Sequence, residues 1–328
     1  MKTRSRLAAL AALAAVAATA AVGGLAGCGG AGKADYTIAI TQIVAHPSLD
    51  LITQGFKDGL EEKGVDAEFI FDDAQGDQAN TVTIAGKYAA DSDIDLILAV
   101  ATNSAQAVVN QVSDRPVLFA GVTDPVEAGL VPSWEPSGTN VTGTSDLNPE
   151  GRPAALIQDV LGAGNVKTIG YLYSLGEKNS VVQLDLLKAE AEPLGMTVKE
   201  SGIANSSELT AGAEALADVD VIYVGTDNTV VDAIEQVVSF GQSKKIPVFV
   251  ADAASVERGG LITRGIDYYE LGKRTAEQAY EILVNGAKPG DIAPLQVTDT
   301  EIVVNEAAAA AYGVTIPPAI LETAEKVG

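Results

Sequence analysis

Two polar triplets stand where this sequence could do chemistry. Within "DLILAVATNSAQAVV", residues 95–109, Thr102, Asn103 and Ser104 interrupt an apolar run and precede a helix-like stretch. Within "DVIYVGTDNTVVDAI", residues 220–234, Asp227, Asn228 and Thr229 hold the same place. A helix start leaves backbone N–H groups unpaired at the positive end of the helix dipole. The starts near Ser48, Ser104 and Ser180 are therefore suited to receive a carboxylate, with the hydroxyls of Thr102, Ser104 and Ser180 as further donors. Asp124, Glu177, Asp227 and Asp252 fall at matching strand ends and are suited to accept hydrogen bonds from an ammonium group. Donors for a carboxylate beside acceptors for an ammonium fit a zwitterion, whereas a phosphate would be repelled by so many carboxylates. Capping competes with this explanation, because Ser, Thr, Asn and Asp are preferred N-caps. For any one residue taken alone it has at least equal weight. Recurrence of the device in two halves of the chain is what favours a ligand.

The elements that must position these residues also repeat. Strand-like runs at 36–43 and 168–174 each lead through a polar loop into an amphipathic helix, and Ile38 and Ile169, like Ser48 and Asn179, differ by the same offset. Second strands follow at 66–74 and 197–204, third strands open the two quoted segments, and fourth strands come at 115–125 and 246–256. This β-α alternation predicts an α/β fold: two doubly wound lobes, each a mostly parallel sheet covered on both faces. In such sheets ligands bind at the carboxyl ends of the strands, so Thr102–Ser104 and Asp227–Thr229 face each other as two jaws. The expected boundaries are residues 36–147 plus 254–291 for the first lobe and 148–253 plus 292–328 for the second. Three crossings between lobes make a multi-strand hinge. His46, the only histidine, reads as a hydrogen-bonded loop residue or a cleft contact. Phe119, Tyr173 and Tyr268 are the aromatic candidates for stacking on a ligand.

The chain begins like a secreted protein. Lys2, Arg4 and Arg6 precede an Ala/Leu/Val run and then "LAGC", so residues 1–27 read as a signal peptide. Cys28 is the only cysteine and has no disulfide partner in the chain. With its Gly-rich surroundings it looks like a lipobox cysteine, lipidated and followed by a flexible tether over residues 28–35. The protein is expected at the outer face of the cell membrane, held by that lipid. The formal charge is −23, the wrong sign for a nucleic-acid binder. No metal and no cofactor is expected. One histidine and a lipidated cysteine disfavour His-dependent triads and most zinc sites, leaving a carboxylate-dependent hydrolase through Asp227 and Asp252 as the enzymatic alternative.

"HPSLD", "AQGDQ", "ATNSAQAV", "TDPVEAGLV", "NVTG", "EKNSV", "TDNTV", "SVERGGL" and "DYYELG" occur in this order across residues 36–290. In this the chain resembles the substrate-binding lipoproteins of ABC transporters for aromatic amino acids, of the tryptophan/tyrosine type. The resemblance implies the type I periplasmic-binding-protein fold and a monomeric receptor that closes on a small solute and presents it to a permease. It also implies ligand contacts at His46, Pro47 and Ser48, at Thr102, Asn103, Ser104 and Ala105, at Thr123 and Asp124, at Asn179 and Ser180, at Asp227 and Asn228, and at Asp252. Many members carry Pro where this chain has Lys178. A tethered sensor subunit that binds the same solute is the other alternative.

Overall fold

The computed structural model describes residues 33–328. The expected signal peptide, the Cys28 anchor and most of the tether lie outside the described residues. The first lobe opens with β1 (Tyr36–Gln42), α1 (Pro47–Glu62), β2 (Ala67–Asp73), α2 (Gln78–Ala90), β3 (Leu96–Val100), α3 (Thr102–Val109), β4 (Val117–Ala120) and β5 (Val141–Ser145). The second continues with α4 (Pro153–Leu161), β6 (Thr168–Ser174), α5 (Lys178–Ala191), β7 (Thr197–Ile203), α6 (Leu209–Glu214), β8 (Val221–Val224), α7 (Asn228–Asp232), α8 (Ile234–Lys244), β9 (Val248–Val250), α9 (Ala253–Glu257) and β10 (Ile262–Ile266). Then come α10 (Tyr268–Leu283), β11 (Leu295–Gln296), β12 (Thr300–Asn305), α11 (Glu306–Tyr312), α12 (Pro318–Leu321) and β13 (Glu325–Val327).

The first sheet has the order β11-β5-β4-β3-β1-β2, all parallel. Side chains alternate across a strand, and β3 shows the result. Leu96, Leu98 and Val100 join a core with Leu49, Ile52 and Phe56 of α1 and Leu271 of α10. Ile97 and Ala99 point to the other face, into a core with Ala85 and Tyr88 of α2 and Val108 of α3. The second sheet, β7-β6-β8-β9, is likewise parallel. Ile38 and Ile169, matched by the repeat, are both fully buried in central strands of their sheets.

Two expected boundaries shift. Residues 254–291 are expected in the first lobe, yet Val256, Leu261 and Ile262 lie in the second lobe's core, where β10 pairs antiparallel with β12, and only at Ile266 does the chain rejoin the first lobe's core. Residues 292–297 go the other way, because β11 adds to β5 at the edge of the first sheet. Short strands at the lobe junction carry no periodicity that says which sheet they join. The three expected crossings are present: β5 to α4, β10 to α10, and β11 to β12. They are tied to one another. Asn148 Nδ2 donates to Arg264 O at 2.9 Å, and Gln296 Nε2 donates to Leu147 O at 2.9 Å.

Candidate ligand-binding site

The carboxyl ends of the two sheets meet across a cleft, and the lobes touch through polar side chains. Ser48 Oγ donates to Asp252 Oδ1 at 2.7 Å, His46 Nε2 lies 3.3 Å from Asn228 Oδ1, and Gln183 Nε2 lies 3.3 Å from Thr123 Oγ1. Local sequence places them. Pro47 opens α1 directly after the extended His46, a position where its missing N–H is harmless. Asp227 and Asp252 cap α7 and α9.

Between these contacts is a small polar chamber lined by His46, Ser48, Asn179, Asn228 and Asp252, together with Asp146, Thr226 and Tyr268. Buried polar atoms normally have hydrogen-bond partners; several here do not. His46 Nδ1, Asp146 Oδ1 and Asn179 Oδ1 are buried and unpartnered in the chamber wall; Thr102 Oγ1 and Ser104 Oγ, at the start of α3 and outside that chamber's lining, are also buried and unpartnered. Their chemistry sorts by type. Asn179 gives its amide N–H groups to Glu177 Oε2 and Thr226 O, so its free oxygen accepts. His46 Nε2 faces the Asn228 oxygen, which assigns the proton to Nε2 and leaves Nδ1 as an acceptor. Burial lowers the His46 pKa against the pull of Asp252, Asn228, Asp50 and Asp232, which keeps the ring neutral. Asp146 receives the Tyr268 hydroxyl on Oδ2 at 3.0 Å, and burial raises its carboxyl above the ordinary value. Three acceptors thus stand free, the number an ammonium group can use. The Thr102 and Ser104 hydroxyls can donate to a carboxylate. The backbone that presents them is strained: Ala101, the N-cap of α3, has φ 69° and ψ 160°, a conformation that normally requires glycine.

The other expected residues divide. Asp227 is wholly buried and receives Ser174 N at 2.6 Å, Ser180 Oγ at 2.7 Å and Val230 N at 2.9 Å. It ties strand and helix ends of one lobe together, and Ser180 is occupied with it. Burial, with Glu177 nearby, raises the Asp227 carboxyl above the usual carboxylate range, while its three donors favour the anion. Glu177 accepts from Asn228, Thr229 and Asn179. Asp124 accepts from Val126 N and Glu127 N. All three carboxylates are occupied by donors of their own lobe. Ala105 is core, Asn103 lies with Glu177 at the outer mouth of the cleft, and Thr123 lines the cavity described next. Phe119 is packed in the first lobe's core and Tyr173 turns its hydroxyl to Glu200, so of the aromatic candidates Tyr268 alone lines the cleft.

Sequence reading missed Asp146, Thr226, Tyr223 and Phe249. Asp146 ends "TGTSD" just after β5, a strand rich in Thr, Gly and Ser that gives little apolar signal. Beside the polar chamber, and sharing Asp146, Thr226 and Tyr268 with it, is a cavity of about 320 Å³. Leu156 of α4, Leu187 of α5, Tyr223 of β8 and Phe249 of β9 supply its apolar wall.

Residues 37–328 match the family model described as ABC transporter substrate binding protein. A tyrosine-binding protein of Clostridioides difficile (strain R20291) is 40% identical over 279 residues, 84% of this chain and 80% of that protein. The crystal structure of an ABC domain in complex with L-Trp from Streptococcus pneumonia superposes with a TM-score of 0.85 at 37% identity, covering 89% of this chain and 99% of that one. The ligand-free, open structure of a substrate binding protein with adhesive properties from Clostridium difficile covers the same shares at 41% identity, but with a TM-score of 0.67.

Proposed function

The chain belongs to the ABC transporter substrate-binding protein family, and from that premise we propose that it captures an aromatic amino acid between its lobes and delivers it to a permease. The observation that carries this reading is the set of unpartnered buried groups: His46 Nδ1, Asp146 Oδ1 and Asn179 Oδ1 for the ammonium, Thr102 Oγ1 and Ser104 Oγ for the carboxylate. The adjoining cavity, with Tyr223, Phe249 and Tyr268 in its wall, accommodates the side chain. Its size falls within the range of roughly 300–1,000 Å³ typical of small-molecule sites. Ser48, Asn228 and Asp252 complete the wall and hold the lobes together. The relatives named for tyrosine and bound to L-Trp support the aromatic assignment. Lipidation of Cys28 would keep the receptor at the membrane near its permease, as a monomer.

Isothermal titration with the common L-amino acids tests the reading. L-Tyrosine or L-tryptophan should bind with micromolar or tighter affinity and come back unchanged. If neither binds while an uncharged sugar does, the zwitterion assignment is wrong.

A further inference from the structure

The apolar cavity is not uniformly apolar. Two oxygens from residues of its wall, Asn148 Oδ1 and Thr263 Oγ1, are buried and have no hydrogen-bond partner. Asn148 lies on the first crossing between lobes, and its amide nitrogen is engaged by Arg264 O at 2.9 Å. The free atom is therefore the carbonyl oxygen, which can only accept. Thr263 is fully buried in β10, beside that same Arg264. A buried acceptor left unmet forfeits the hydrogen bond it would make with water. Neither oxygen belongs to the set that faces the charged groups of the amino acid.

We infer that Asn148 and Thr263 are specificity-determining residues, accepting a hydrogen bond from an N–H or O–H on the ligand's side chain. The inference rests on the aromatic amino-acid reading and deepens it. Carbon walls alone grip phenylalanine, tyrosine and tryptophan by area. The Asn148 carbonyl oxygen and the Thr263 hydroxyl, both able to accept, would reward a phenol or an indole N–H and penalise a ligand that leaves them unmet. A site built to bond a ligand's polar hydrogen rejects the analogue lacking it far more strongly than an apolar pocket rejects an extra group.

The test pairs ligands that differ in one donor: L-tyrosine against L-phenylalanine, and L-tryptophan against 1-methyl-L-tryptophan, each titrated calorimetrically. The wild type should prefer the donor-bearing member of at least one pair by tenfold or more. Thr263→Val, which keeps the shape and removes the hydroxyl, should shrink that preference severalfold, and Thr263→Ser should restore it. Equal affinity for both members of each pair overturns the inference and leaves the aromatic reading standing. An unchanged preference in folded Thr263→Val and in Asn148→Ala also overturns it. Failure of all four ligands to bind overturns both.

Discussion

Asp227 and Asp146, two buried acids near the strand ends, differ in the donors that reach them. Asp227 has three donors converging on its two oxygens, so Asp227→Asn must turn an amide N–H₂ toward the backbone N–H of Ser174 or Val230. That substitution should destabilise the ligand-free protein by about 1–3 kcal/mol, read as a lower midpoint in urea. Asp146 keeps one oxygen free and holds Tyr268 with the other. Asp146→Asn can still accept from Tyr268 but presents a donor to the ligand's ammonium. Loss of a charged hydrogen bond, about 1.5–3 kcal/mol, corresponds to amino-acid binding weaker by roughly 10- to 150-fold, with little change in the urea midpoint. The reverse pattern, with Asp227 controlling affinity and Asp146 controlling stability, would exchange their roles.

Corresponding helix pairs in the two lobes are packed differently, and the difference leaves a cavity in one of them. In the first lobe α1 and α10 lie so close that a Cβ on Gly55 would sit 2.1 Å from Tyr269 O, and one on Gly272 would sit 2.2 Å from Ile52 O. Backbone there has nowhere to move. Gly55→Ala should force the pair apart and lower stability by about 1–3 kcal/mol, the usual cost of overpacking, measured by thermal or urea denaturation. In the second lobe α4 and α5 instead enclose, with β8 and β9, the cavity of about 320 Å³. One lobe is a tight scaffold, and the other leaves a cavity, the space proposed for the ligand's side chain.

Across the whole molecule, closure rests on few direct contacts. Ser48 to Asp252, His46 to Asn228 and Gln183 to Thr123 meet in the cleft, and at its mouth Gln78 Nε2 donates to Gly176 O at 2.8 Å. Four such bonds, at about 0.5–1.5 kcal/mol each, come to about 2–6 kcal/mol, the same order as the roughly 5.5 kcal/mol that moves a two-state equilibrium from mostly open to mostly closed. A ligand shifts that balance by its extra affinity for the closed form. Small-angle scattering should therefore show a smaller radius of gyration on adding L-tyrosine or L-tryptophan. Gln78→Ala, which touches no part of the chamber, should weaken binding by about 2- to 10-fold. A radius unchanged by a ligand that binds would contradict closure.

The sequence by itself determined the repeated β-α array, the strands from Thr168 to Ser174 and near Leu96, the crossings and most of the cleft-facing loops, because local periodicity and capping chemistry are written in neighbouring residues. It placed His46, Ser48, Asn179, Asn228 and Asp252 at the rim, and they line one chamber. It could not rank the carboxylates, since Asp227 and Asp146 differ only in how many donors reach them from elsewhere in the chain. Nor could it reveal that Tyr223, Phe249 and Tyr268 share a wall, or that Val256, Leu261 and Ile262 belong to the second lobe's core. Those facts depend on which strands lie side by side and which helices leave space between them, and only tertiary packing decides that.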